Sequence, residues 1–163
     1  MLSSLKKLFA TDNHKLAGHR VYAELVAQSR SPFLYTQCAI PDTLDGRFDA
    51  IVLHIFLLTK HLKNEKPELL RAVWEAFFAD MDRSLREMGA SDTGIGKRIK
   101  KMVQAFYGRI DIYQKTFGQD AEFKDALQRN LYRENEVSDG QINKLVEYVK
   151  SNSGCGFVRI DGE

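Results

Sequence analysis

Between Gly46 and Lys63 the chain carries Phe48, Ile51, Val52, Ile55, Phe56, Leu58 and Leu62 at helical spacing, while Leu53 and Leu57 fill the remaining side. A helix that is apolar nearly all round cannot lie on a surface, because every face needs a partner to exclude water. This segment predicts a central helix with neighbours on several sides. Whatever surrounds it has to come from the rest of one short chain.

The flanking sequence supplies the neighbours. Roughly His14 to Arg30 places Leu16, Val21, Leu25 and Val26 on one side of a helix. Pro67 opens a long helix where its missing N–H costs nothing, and Gly89 is placed to end it in the left-handed conformation. Between them Leu70, Val73, Trp74, Phe77, Phe78, Met81, Leu85 and Met88 recur at three- and four-residue steps. Ala90 to Gly96 reads as a turn-rich linker, followed by a helix from Lys97 to about Gly118, in which Gly108 is expected to admit a neighbouring helix closely. A shorter helix is predicted from Asp120 to about Asn135. The last starts at the capping-box pattern Ser138-Asp139-Gly140-Gln141. In the tail, Phe157-Val158-Arg159-Ile160 alternates and could pair as a short strand or pack as a strap.

The expectation is an all-α, single compact domain of about six helices, with an ordered loop before the central helix and a short C-terminal tail. Its parts are an amphipathic N-terminal segment (1–13), a helical domain (14–150) and the tail (151–163). At 163 residues, such a chain can bury about two-thirds of its unfolded surface. Leu2, Leu5, Leu8 and Phe9 with Lys6 and Lys7 form a small amphipathic helix, suited equally to weak membrane contact and to packing on the domain. The longest apolar run, Ile51 to Leu58, is interrupted by His54 and falls far short of the ~20 residues that span a bilayer. The N-terminus has neither the apolar stretch nor the small-residue cleavage site of a secretory signal. The chain is therefore expected to stay on the side of the membrane where it was made.

The 24 basic and 22 acidic residues leave a formal charge of +2, so overall charge makes no case for nucleic acid. Only local patches can carry an electrostatic partner. The clearest is Lys97, Arg98, Lys100 and Lys101, four cations in five positions; at a helix start they would oppose the macrodipole. Lipid phosphates, RNA, an acidic partner or plain solvation would each account for them.

Catalytic and metal chemistry find little support. His54 and His61 share a helix face but stand two turns, about 10 Å, apart, too far for one ion held at ~2 Å bonds. His14 and His19 diverge round the helix, and Cys38 and Cys155 have no ligand spacing and no basic surroundings. Gly94-Ile95-Gly96-Lys97 resembles half a phosphate loop but lacks the rest, and reads better as a helix N-cap turn. His54 reads as a hydrogen-bonded core histidine holding the preceding loop. An acid–base pair of His54 with Asp42 or Asp45 would require a pocket holding them together. No cofactor, no metal and no enzymatic activity are expected.

The loop ahead of the central helix remains. A loop that merely crossed solvent would need none of Phe33, Leu34, Tyr35 or Ile40. Those aromatic and apolar groups suit a core plug and an exposed binding patch equally. Ser31-Pro32-Phe33-Leu34-Tyr35, then Pro41-Asp42-Thr43-Leu44-Asp45-Gly46-Arg47-Phe48-Asp49 and Leu53-His54, resembles the signature of the ubiquinol–cytochrome c chaperones. The similarity continues through Trp74, Phe77-Phe78, Asp80-Met81-Asp82, Leu85 to Gly89 and Gly94 to Arg109, covering roughly residues 15–135 but not the part after Asn135.

The resemblance implies an all-helical assembly chaperone that binds newly made cytochrome b before it joins the ubiquinol–cytochrome c reductase. It also implies a possible small helical assembly partner and the ribosome. With no mitochondrial targeting extension, the chain resembles a bacterial member, cytoplasmic and peripheral at the inner face of the inner membrane. Candidate partner-binding residues are Phe33, Leu34, Tyr35, Asp42, Thr43 and Arg47 in the loop, with Lys97, Arg98, Lys100 and Lys101 in the basic run. The alternative is a small helical ribosome- or RNA-binding module using Lys97–Lys101.

Overall fold

The central helix is there, and it is central. In a computed structural model describing residues 2–89 and 91–154 (2–12 and 92 by backbone alone), α3 spans Leu44–Glu65 and is buried without a break from Phe48 to Thr59. Around it pack α1 (Leu2–Ser29), α4 (Pro67–Glu87) and α5 (Asp92–Thr116). A short α2 (Pro32–Thr36), α6 (Asp120–Leu127) with a π-helical turn at Gln128–Tyr132, and α7 (Asp139–Ser151) complete the described fold. The architecture is all-α: six helices of two turns or more, plus the single-turn α2, among the described residues.

Local signals explain most boundaries. Pro67 sits in the first turn of α4, and Gly89 follows that helix with φ +77°. At α7 both halves of the capping box form: the Gln141 backbone N–H donates to Ser138 Oγ, and the Ser138 backbone N–H donates to the Gln141 side chain.

Several expectations are corrected. Residues 2–29 form one uninterrupted helix. Leu16 is 54% exposed, and the buried stripe of α1 runs instead through Gly18, Val21, Tyr22, Leu25 and Ser29. The linker before α5 is shorter than its glycines suggest. Ser91 caps the helix by accepting from the Gly94 N–H, so Gly94 and Gly96 lie within its first turns. The basic run thus begins beyond the first turn, where the macrodipole has largely faded.

The close helix approach occurs elsewhere too. A Cβ on Gly108 would meet nothing within 4 Å, whereas one on Gly18 would stand 2.5 Å from the Ala72 Cβ. Gly18 is what lets α1 lie against α4. Beside it Tyr22 sets its ring edge-on to Phe77 and donates from Oη to Asp80 Oδ2 at 2.7 Å. The expected strand or strap at Phe157–Ile160 lies outside the described residues.

Two aromatic clusters fill the core. Trp74, Phe77, Phe78, Phe106 and Tyr107 interlock between α4 and α5, with centroids 5.1–6.3 Å apart. Phe56, Tyr113, Phe117 and Phe123 join α3, α5 and α6. Such tilted and edge-to-face contacts add to the burial of large apolar area.

Candidate partner-binding surface

The loop from Ser31 to Thr43 is held from beneath. Leu34, Cys38 and Ile40 are buried in the core, which Ala39 makes possible by taking φ +56° between the last two. Tyr132, in the π-helical turn, donates from Oη to the Cys38 carbonyl at 2.6 Å. Burial lifts the Cys38 thiol to about 11, so it is a packing group and no nucleophile at neutral pH.

At the end of the loop Thr43 Oγ1 accepts from the Gly46 N–H and caps α3. Gly46 is required here, because a Cβ would fall 1.9 Å from the Pro41 carbonyl oxygen. Arg47 Nε donates to Asp42 Oδ1 at 2.7 Å, an exposed clasp whose hydrogen bond holds the Asp42 carboxyl below the ordinary carboxylate range.

The loop candidates therefore divide. Leu34 is fully buried and presents no surface, because it plugs the core beneath α2. Tyr35 is half-buried and donates from Oη to the Ser29 carbonyl at 2.8 Å, with burial pushing its phenol upward. Phe33 is exposed on one side and on the other packs against Tyr148 of α7, centroids 6.0 Å apart. Asp42, Thr43 and Arg47 are exposed; together with Arg30, Pro32 and Tyr35, Asp42 and Arg47 frame a shallow depression.

His54 is fully buried. Its Nδ1 lies 2.7 Å from the Ala50 carbonyl, which only accepts, so Nδ1 carries the proton and Nε2 accepts from Tyr148 Oη at 2.8 Å. Burial lowers its pKa to about 4, keeping it neutral. It holds α7 directly through Tyr148, whose ring in turn packs against Phe33 of the loop. Asp42 is bound to Arg47 and Asp45 to Arg133, so no acid–base pair with His54 is assembled. Among the described residues, no cluster of three or more His, Cys, Asp or Glu could hold a metal ion.

The basic run is exposed at Lys97, Arg98, Lys100 and Lys101, and only part of it faces a concavity. Arg98 and Lys101 line a groove of about 320 Å³ between the start of α3, the end of α4 and the face of α5. That groove also holds residues that sequence reasoning did not single out. Asp49 is fully buried, with Arg109 Nε at 2.7 Å from Oδ1 and Arg133 Nη2 at 2.9 Å from Oδ2. Arg109 Nε and Asp49 Oδ1 are close but poorly aligned for a hydrogen bond, so this half is an ion pair by proximity. Arg133 also reaches Asp45 at 2.7 Å. Burial lifts the Asp49 carboxyl to about 6, against the pull of the two arginines. A carboxylate inside the buried stretch of α3 is itself a signal that cations must approach it. Their identity could not be read locally, since they come from α5 and from beyond the π-helical turn.

Arg133 takes φ +53° and ψ −115° immediately after that turn. A non-glycine residue held there is strained, and the two carboxylates are what hold it. The first turn of α3 thus borders both depressions: Arg47 closes one, while Leu44 and Asp45 line the other.

Residues 36–155 match the sequence model described as ubiquinol-cytochrome C chaperone. The chain belongs to that family. The match runs through the segment after Asn135, which residue-by-residue resemblance had not reached. Over 140 residues the chain is 25% identical to the ubiquinol-cytochrome-c reductase complex assembly factor 1 of Xenopus laevis, covering 83% of this chain and 70% of that one. The Mus musculus counterpart is also 25% identical over 83% of this chain, which spans only 48% of it. The fold is also similar to the crystal structure of the Cbp3 homolog from Brucella abortus. That match has a TM-score of 0.76 and 34% identity, over 95% of this chain and 87% of the other. The Xenopus laevis and Mus musculus relatives are assembly factors by name.

Proposed function

We propose that this chaperone binds newly made cytochrome b and assists its maturation into the ubiquinol–cytochrome c reductase. The observation that carries the reading is family membership across residues 36–155, a span that includes Asp42, Thr43, Arg47, the basic run and the groove it borders, with Phe33, Leu34 and Tyr35 immediately ahead of it. The surface fits a holding role. Phe33 and Tyr35 offer aromatic area on a backbone already fixed from below, so little ordering entropy is lost on binding. Asp42, Thr43 and Arg47 provide the polar rim of that patch. Lys97, Arg98, Lys100 and Lys101 provide charge for an acidic partner or an anionic membrane face.

No described helix is long and apolar enough to cross a membrane. Peripheral contact at the inner face of a bacterial inner membrane, and work beside a small helical partner or the ribosome, belong to the same proposal. Client release follows from competition by assembly partners or by haem insertion, without nucleotide.

The test is an affinity pull-down of tagged protein from gently solubilised membranes of its own host, probed for cytochrome b. Enrichment of cytochrome b that falls with Tyr35→Ala or Arg47→Ala supports the reading. A preparation rich in ribosomes or RNA and lacking cytochrome b overturns it in favour of the basic-patch module. A strict nucleotide requirement for release would sink the proposed release step.

A further inference from the structure

The groove along α5 has an apolar floor, a cationic rim and more positive charge than its own carboxylates neutralise. Phe48, Leu85 and Met102 form the floor, and Leu44 and Met88 flank it at 63% and 50% exposure. Neither flanking side chain fills the core, and the groove is the concavity both adjoin.

Four cations line the groove together with one carboxylate, Asp45, and a second, Asp49, lies buried behind them. Arg109 and Arg133 are spent on Asp49 and Asp45, whereas Arg98 and Lys101 have no ion-pair partner among the described residues. From Arg98 to Arg109, α5 rises about 16 Å, the length of three helical turns. The strained Arg133 backbone is held at one wall, so that wall is set before any ligand arrives.

We propose that this groove receives an amphipathic helix of a partner protein, with its apolar face on Phe48, Leu85 and Met102 and flanking carboxylates on Arg98 and Lys101. Helix-in-groove recognition uses this combination: apolar anchors at i, i+3 or i+4 and i+7 in a recessed floor, with complementary charge on the rim. An anionic bilayer fits less well. Recruitment to such a surface takes clusters of roughly four to eight basic residues; of the basic run only Arg98 and Lys101 line the groove, Lys97 and Lys100 lying outside it. Nucleic acid fits less well too, since two phosphate contacts and an apolar floor give weak binding. The inference rests on the reading that Arg98 and Lys101 face a partner, but not on cytochrome b being that partner.

Three probes test it on the purified full chain by fluorescence anisotropy: a Leu/Glu peptide patterned as an amphipathic helix, its Leu/Lys counterpart, and a scrambled Leu/Glu peptide. The patterned Leu/Glu peptide should bind, and the other two should bind at least about tenfold more weakly. Arg98→Glu with Lys101→Glu, and separately Leu44→Ser with Met88→Ser, should each weaken the patterned peptide by about tenfold. All four positions are exposed, and circular dichroism confirms that the variants stay folded.

Absence of binding overturns the proposal outright; equal binding of the scrambled peptide, or loss in the charge variant alone, overturns it by reporting charge without a groove. Phosphatidylglycerol vesicles or single-stranded RNA binding more tightly than the peptide overturn it as well. No cytochrome b is present in this measurement, so its failure and failure of the client reading are separate events.

Discussion

Gly46 stands at the point where the loop meets the central helix, and it has no substitute. An added Cβ would lie 1.9 Å from the Pro41 carbonyl oxygen and 3.0 Å from the Pro41 carbonyl carbon, both rigid backbone. Gly46→Ala must therefore displace either the loop or the first turn of α3. We expect a loss of about 2–4 kcal/mol in urea unfolding, with weakened capping by Thr43. Gly108→Ala is the control: it meets open space and should gain up to ~1 kcal/mol from helix propensity. Both glycines look alike in the sequence. Clashes of this kind depend on a chain segment arriving from elsewhere, which spacing along a helix does not reveal.

At the scale of elements, the α1–α4 contact depends on one missing side chain. Gly18→Ala would put a Cβ 2.5 Å from the Ala72 Cβ and 2.7 Å from its carbonyl carbon. Overpacking of this type costs about 1–3 kcal/mol. The expected outcome is a lowered melting temperature, partly restored by Ala72→Gly, because the clash with backbone remains. The helices themselves were largely legible. Their signals are local: Pro67 and Gly89 around α4, the capping box at Ser138, and the apolar run of α3. The start of α5 was misplaced because Gly94 and Gly96 look like a linker, while the deciding group is the Ser91 hydroxyl. The groove was legible only by half. Arg98 and Lys101 stand out as charge, but Arg109 and Arg133 gain their roles from Asp49, 60 and 84 residues away. No periodicity spans that separation.

Across the whole molecule, two buried titrating groups oppose each other. His54 falls from the ordinary 6.5 to about 4 by burial, so the unfolded chain binds its proton more readily. Its contribution is complete above pH 6.5 and is lost as pH falls towards 4, up to about 3 kcal/mol. Asp49 rises by burial from 3.8 to about 6, so here the folded chain binds the proton more readily and stability falls as pH climbs through that window. Between about pH 4 and 6 the two slopes cancel in part. Chemical denaturation across that range should show a shallow profile for the native chain. Relative to it, His54→Gln should lose stability as pH rises, and Asp49→Asn should gain stability as pH rises. The Asp49 variant carries in addition a pH-independent loss from its orphaned arginines. Matching slopes for both variants would contradict the assignment.

The first turn of α3 belongs to two depressions at once, with Arg47 on one side and Leu44 and Asp45 on the other. If an occupant of the groove that draws on Asp45 re-sets the clasp between Arg47 and Asp42, an occupant of the loop patch acts back with equal strength. Thermodynamic reciprocity makes the two affinities one quantity measured from two ends. A chaperone so coupled would be a two-seat balance: the order in which its guests arrive would change the route of assembly and leave the final free energy the same.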